Sequence, residues 1–187
     1  MRPQKIDNQT LLSGLMTVLS SKGYDGASLN DLASSSGLQK ASLYHRFPGG
    51  KKDIALAVLN YVGDWIEKNI VKALEDDSIA PIERLHMALE KIDDLYNGGK
   101  STCILRALSM DNGMSLYSME LKEAAQNWVD SFYQLGKAFG MSEDRAYQTA
   151  LKVLINVQGS LVVCKMMKDN QIFKNSLVDI KKLYSDI

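Results

Sequence analysis

Apolar residues recur at every third or fourth position along most of the chain, which is the spacing of one helix face. The first stripe has four members: Leu12, Leu15, Met16 and Leu19. Similar stripes run through residues 82–96 and 121–139, and the alternation typical of strands is absent from the pattern. The sequence therefore predicts an all-α protein of about nine helices.

Capping and turn residues divide the N-terminal part into three helices before a long fourth one. Gly23 is expected to end the first helix, and Ser28 with Asp31 three residues later forms a capping box that begins the second. Gly37 supplies the next turn, a third helix is predicted over residues 39–47, and a fourth over 51–74. The first 50 residues therefore form a short helical module.

Composition indicates a soluble globular protein, with 45% apolar and 24% charged residues. Every apolar run is expected to be too short or too interrupted to cross a bilayer, and the N-terminus lacks a hydrophobic signal region. Cys103 and Cys164 both fall in apolar stretches, so we expect buried structural thiols rather than redox sensors. The chain is accordingly predicted to be cytoplasmic.

Charge is unevenly distributed, although the net charge is zero. Residues 1–52 carry seven bases and three acids, whereas the rest carries fifteen bases and nineteen acids, so the two parts have charges of +4 and −4. The positive charge of residues 1–52 favours an anionic partner for this part of the chain, whereas the rest of the chain is acidic.

The densest polar stretch is GLQKASLYHRFPGGKK, which runs from Gly37 to Lys52. Two short helices joined by a glycine turn are typical of a helix-turn-helix, whose second helix enters the DNA major groove. Lys51 and Lys52 lie in the first turn of the predicted fourth helix, where backbone amides also favour a phosphate. The Pro-Gly-Gly-Lys run lacks the spacing of a nucleotide-binding loop.

The block SSKGYDGASLNDLASSSGLQKASLYHRFPGGKKDIALAV resembles the tetracycline-repressor (TetR) family of regulators. The FPGGKK ending is similar to the subgroup of the lincomycin-resistance repressor. Gln39 stands where the family often has Ser, and Lys52 where an acid is common. The resemblance implies a helix-turn-helix DNA-binding domain over residues 1–50 and a helical ligand-binding and dimerisation domain over 51–187.

Three sets of candidate site residues follow. DNA contacts are expected from nine residues: Ser28, Gln39, Lys40, Ala41, Ser42, Tyr44, His45, Arg46 and Lys51. The resemblance implies an effector cavity, which we place at five apolar and aromatic residues: Tyr61, Trp65, Met110, Trp128 and Phe132. Because the helix predicted over 142–168 is apolar nearly all round, it should pair with a second copy. The expected homodimer interface has seven members: Ala150, Val153, Val157, Gly159, Leu161, Leu177 and Ile180.

The predicted function is a repressor that an apolar small molecule releases from a near-palindromic operator. One alternative is an architectural DNA-binding protein without a ligand response. An enzyme is a third, but no nucleophile–base arrangement is readable and only two histidines occur. His86 and Glu90 share one helix face, yet they make at most half a metal site, so no metal or other cofactor is expected.

Overall fold

The computed structural model describes residues 6–185, so Arg2 and Lys5 of the predicted basic part lie outside the description. Within these residues there are eleven α-helices and one π-helical turn, and no strand, which confirms the predicted all-α class. The helices are α1 Asn8–Gly26, α2 Leu29–Ser36, α3 Lys40–Arg46, α4 Lys51–Ile66, α5 Lys72–Glu75, α6 Pro81–Leu95, α7 Ile104–Leu108, α8 Asp111–Leu116, α9 Ser118–Ala138, α10 Glu143–Met167 and α11 Gln171–Ser185.

Ten helices result when the run from α4 to α5 is counted as one, against about nine predicted. That run is continuous but passes through a π-helical turn at Glu67–Val71, which apolar spacing does not reveal. The additional helix is α8, which begins at the Asp-Asn-Gly sequence. Its first residue, Asp111, has a φ of 49°, so the chain turns sharply there and then resumes a helix.

The chain folds into two compact units. The head unit comprises Met1–Gly63 and Ile104–Leu121, and the body unit comprises Asp64–Cys103 and Lys122–Ile187. Residue 50, where the sequence suggested a boundary, therefore lies inside the head unit. The first part of α4 and the short helices α7 and α8 belong to the same compact unit as the three N-terminal helices.

In the head unit, α1 packs against α2, α7 and α8. Its buried side is the predicted stripe, in which Leu12, Leu15 and Leu19 are buried. Gly14 allows α2 to approach closely, because a Cβ there would lie 2.5 Å from the backbone oxygen of Ser35. This contact fixes the position of α2 against α1.

In the body unit, α10 packs against α11, and α11 also contacts α6. The 25-residue helix α10 is long and apolar enough to cross a membrane by length and composition, although only a third of its apolar window is buried. The expectation that every apolar run is too short is therefore wrong for this helix. Six of the seven predicted interface residues are buried within the chain, and Gly159 alone among them is exposed.

The opposite side of α10 is only partly covered and carries a row of apolar residues. We call it the α10 outer face, and its apolar members are Tyr147, Leu151, Leu154, Ile155, Val162 and Met166. Ile155 is 57% exposed and Met166 is 75% exposed. Gly159 lies beside this face, and a Cβ there would meet nothing within 4 Å.

Candidate nucleic-acid interface

The first helix of the DNA-reading pair, α2, begins at the predicted capping box. Ser28 Oγ accepts a hydrogen bond from Asp31 N at 3.2 Å, and Asp31 Oδ2 accepts one from Ser28 N at 3.1 Å. Lys22 Nζ lies 2.7 Å from Asp31 Oδ1. The hydrogen bond from Lys22, followed by those from Ser28, lowers the pKa of the Asp31 carboxyl to about 2. Ser28 thus has a capping role and remains exposed.

A tight turn at Gly37 joins α2 to α3. Gly37 has a φ of 66°, which is a left-handed conformation that glycine adopts without a Cβ penalty. Its N–H donates to Ser34 O at 3.3 Å, and Leu38 N donates to Ala33 O at 3.2 Å. These bonds satisfy carbonyls at the end of α2 and set the direction in which α3 leaves it.

Helix α3 presents almost all of its side chains to solvent. Leu43 is its buried anchor, with 1% exposure, while Leu38 and Phe47 flank the helix and are half-buried. The predicted DNA-contacting residues on and before α3 are all exposed: Gln39, Lys40, Ala41, Ser42, Tyr44, His45 and Arg46. A seven-residue helix held by one apolar side chain leaves its polar surface open to a groove.

Arg46 has a partner that the sequence did not suggest. Its Nη2 donates to Asn8 Oδ1 at 2.9 Å, which ties the end of α3 to the start of α1. Asn8 and Arg46 are both exposed. The guanidinium has further N–H groups beyond this bond, so the contact orients it without using all its donors.

The start of α4 holds the other predicted phosphate contact, Lys51. Its ammonium lies 4.5 Å from the centroid of the Tyr24 ring, a cation–π arrangement. Asp53 Oδ2 accepts a hydrogen bond from Gly49 N at 2.6 Å, so the side chain of Asp53 caps this helix start. Gly49 precedes the helix, so this bond does not involve the amides of the first turn of α4.

Residues from the second segment of the head unit reach the same place. Tyr117, which follows α8, donates from its hydroxyl to Lys52 O at 3.0 Å, and its ring meets Tyr24 edge-on with centroids 5.7 Å apart. Asn112 donates to Asp25 from its backbone at 3.1 Å and from Nδ2 at 2.8 Å. Sequence reasoning missed these residues, because no local pattern links positions so far apart.

The predicted effector residues are placed in different surroundings. Trp128 and Phe132 are buried in the body unit and their rings lie 5.6 Å apart. Tyr61 and Trp65 are half-buried on α4. Met110 is 55% exposed and lines a polar depression of about 230 Å³ with the end of α1. The structure therefore brings Trp128 and Phe132 together, and Met110 contributes to a separate depression.

The body unit also contains several buried polar groups. Trp128 Nε1 is buried without a hydrogen-bond partner among the described residues, and so is Gln158 Oε1. Cys103 Sγ accepts hydrogen bonds from Tyr96 Oη at 3.4 Å and Gln158 Nε2 at 3.3 Å. Both cysteines are buried and free, as predicted. Burial raises the pKa of the Tyr96 phenol well above its ordinary value, so this group stays protonated.

His86 and Glu90 line a groove of about 340 Å³ between α6 and α11, together with Asp93 and Lys181. Across residues 6–185, no three His, Cys, Asp or Glu side chains are grouped so that they could hold a metal ion.

The turn at Gly37, the capped α2 and the exposed α3 define a helix-turn-helix DNA-binding protein. Residues 11–58 match the family model described as bacterial regulatory proteins, tetR family. The transcriptional regulator LmrA of Bacillus subtilis (strain 168) is 25% identical over 166 residues, covering 87% of this chain and 88% of that protein.

Two solved structures show the same fold. The TetR transcriptional regulator from Legionella pneumophila has a TM-score of 0.81 at 18% identity, covering 96% of this chain and 98% of that chain. A cysteine mutant of the TetR-family regulator CifR, complexed with 26-bp double-strand operator DNA, has a TM-score of 0.74 at 18% identity and covers 98% of each chain.

The chain is similar to the tetR family of bacterial regulatory proteins over residues 11–58, as its sequence motifs predicted. It is a DNA-binding transcriptional regulator, and the LmrA relative agrees with the predicted lincomycin-resistance subgroup.

Proposed function

We propose that the protein is a homodimeric repressor that an apolar small molecule releases from a near-palindromic operator in the bacterial cytoplasm. The observation that carries this proposal is the exposure of α3, whose polar residues are all open while Leu43 alone is buried. A helix of this kind fits the major groove, where side chains read base edges.

Within this proposal, Lys40, Tyr44 and Lys51 contact phosphates. Four residues face base edges or thymine methyl groups: Gln39, Ala41, Ser42 and His45. Arg46 is bound to Asn8 through Nη2, and its remaining N–H groups donate either to a phosphate or to a base edge. Because phosphate contacts carry no sequence information, they should contribute equally to binding of any duplex.

The test is Lys51→Ala, measured by fluorescence anisotropy on labelled duplex DNA of mixed sequence over a salt series. The slope of log K against log salt is negative, and losing one phosphate contact should reduce its magnitude by about 0.9. Lys137→Ala, which removes an exposed lysine of the body unit, is the matched control and should leave the slope unchanged. Full affinity of Lys51→Ala at every salt concentration would contradict the phosphate role.

The proposed dimer uses the α10 outer face. A surface that is apolar along five turns of helix is costly to leave in water, and an isologous two-fold contact between two such faces covers both. The predicted interface residues that are buried, such as Val153 and Val157, support this face from beneath, while Gly159 permits close approach of a partner helix. A two-fold dimer places two α3 helices about 34–36 Å apart, or a multiple of it, on DNA.

The proposed effector site lies in the body unit, at Trp128 and Phe132 with Trp65 of α4. None of these three side chains is charged, so the effector should be largely apolar. The unpartnered Trp128 Nε1 favours an effector that also carries one hydrogen-bond acceptor, because a buried donor without an acceptor is costly.

Release from DNA would proceed through the helical run from α4 to α5, which begins at Lys51 and continues to Glu75. The π-helical turn follows Trp65 closely, and Asn69 Nδ2 donates to Trp65 O at 2.7 Å. Such turns interrupt the regular hydrogen-bond ladder and often mark functional positions. An effector against Trp65 would thereby shift α4 and alter the spacing of the two α3 helices.

The coupling expected of such a switch is about 1–3 kcal/mol, or roughly 5–150-fold in DNA affinity. An apolar binder is first found by quenching of tryptophan fluorescence, and its titration is then repeated with operator DNA isolated by selection from random duplexes. The affinity of the binder should fall on the DNA-bound protein by the same factor, since coupling is reciprocal. Equal affinity with and without DNA would refute a regulatory role.

A further inference from the structure

We propose that Tyr117 is a positioning residue for DNA binding, which holds the first turn of α4 so that Lys51 and Lys52 face a phosphate. The inference rests on the proposed phosphate role of this helix start. It concerns residues of the second head segment, Ile104–Leu121, which lies far from the helix-turn-helix in sequence.

Tyr117 reaches the start of α4 by two routes. Its hydroxyl donates to the backbone oxygen of Lys52 at 3.0 Å, which fixes the first turn itself. Its ring packs edge-on against Tyr24, and the face of Tyr24 lies 4.5 Å from the Lys51 ammonium. One side chain therefore contacts the backbone of one lysine and, through an aromatic ring, supports the side chain of the other.

The contact is buried, because Tyr117 is 1% exposed, and further hydrogen bonds lie close to it in the head unit. Asn112 donates two hydrogen bonds to Asp25, one from its backbone and one from its side chain. The side-chain bond is the main cause that lowers the pKa of the Asp25 carboxyl. The Asp25 carboxylate also attracts the Lys51 ammonium. Burial raises the pKa of the Tyr117 phenol, so its hydroxyl remains a donor at physiological pH.

This arrangement has a consequence for binding. A lysine side chain loses much rotamer freedom when it contacts a phosphate, and holding it beforehand reduces that loss. The aromatic face of Tyr24 covers one side of the ammonium and leaves N–H groups on the other side for a phosphate. Tyr117 therefore raises the affinity for DNA without touching it.

The experiment compares Tyr117→Phe with Tyr184→Phe on the full-length protein, using labelled duplex DNA of mixed sequence. Tyr184 is the matched control, because its buried hydroxyl also donates to a backbone oxygen, that of Phe132, at 3.0 Å, but in the body unit. Tyr117→Phe should weaken DNA binding by about 2- to 10-fold and lower the salt slope by up to about 0.9. Tyr184→Phe should lower the melting temperature by a similar amount, but it should leave the salt slope of DNA binding unchanged.

A double-mutant cycle separates positioning from general destabilisation. In a background with both Lys51→Ala and Lys52→Ala, Tyr117→Phe should cause no further loss of affinity. If it causes the same loss there and leaves the slope unchanged, the positioning role is wrong. If the two lysine substitutions themselves leave the salt slope unchanged, the proposed phosphate role is wrong, and the inference fails with it.

A second pair of variants covers the case in which Tyr117→Phe does not fold. Tyr24→Leu removes the ring beneath the Lys51 ammonium, whereas Tyr24→Phe keeps it. The leucine variant should show the lower salt slope and the phenylalanine variant should retain the wild-type slope. Equal slopes for both variants would overturn the inference.

Discussion

The exposed isoleucine on α10 offers a sharp test of the proposed homodimer. Ile155 is 57% exposed on the α10 outer face. Full burial of such a side chain is worth about 1.5–3 kcal/mol, so covering its exposed part stabilises a dimer by about 1–1.5 kcal/mol per copy. Both copies contribute in a two-fold interface, which makes about 2–3 kcal/mol in total.

Ile155→Glu removes this contribution from both copies and places two carboxylates in an apolar contact, which adds a desolvation cost. The dissociation constant of the dimer should rise by at least about 30- to 150-fold. Light scattering during gel filtration over a dilution series should show monomers for this variant at concentrations where the unmodified protein is dimeric.

The control is Ile82→Glu, the same substitution at a residue that is 37% exposed on the first turn of α6. An acid near a helix N-terminus is well tolerated, so this variant should keep the dimer. Equal masses for both variants at every dilution would refute the assignment of the α10 outer face. A monomeric unmodified protein would refute the dimer itself.

Two further predictions concern the stability of the head unit. Gly14→Ala should lower the free energy of unfolding by about 1–3 kcal/mol, because its Cβ would meet the Ser35 backbone oxygen. Gly63→Ala should raise the free energy of unfolding slightly, because a Cβ there meets nothing within 4 Å. Urea unfolding compares the two variants, and a stabilised Gly14→Ala would contradict the close approach of α2. The Asp31 carboxyl has its pKa lowered from 3.8 to about 2, so its contribution to stability is present above about pH 4 and is lost as pH falls towards 2. The difference in urea midpoint between the wild type and Asp31→Asn should shrink over that pH range, and a constant difference would show that the bonds from Lys22 are not formed in solution.

Local patterns were sufficient to predict the DNA-reading helices. The capping box at Ser28 and the glycine turn at Gly37 each depend on residues a few positions apart, and both formed as expected. The polar side chains of α3 are exposed in the structure, and Leu43 is its buried anchor. These features involve short-range hydrogen bonds and one apolar contact, which a sequence displays directly.

Long-range contacts were not predictable in the same way. Tyr117 and Lys52 are 65 positions apart, and Asn112 and Asp25 are 87 apart, so no periodicity connects them. Gly14 appears from the sequence to weaken its helix, and only the packing of α2 shows why a side chain there is unfavourable. Most of the predicted interface residues are buried within the chain, because the chain itself covers one face of α10.

The discontinuous head unit has a practical consequence for protein engineering. The chain leaves this unit after Gly63, returns at Ile104 and leaves again after Leu121. A fragment ending near residue 63 would lack Asn112 and Tyr117, so Asp25 and the start of α4 would lose partners. We expect chimeras that exchange DNA specificity between regulators to work best when the donor supplies both segments, with α7 and α8 transplanted alongside the N-terminal helices.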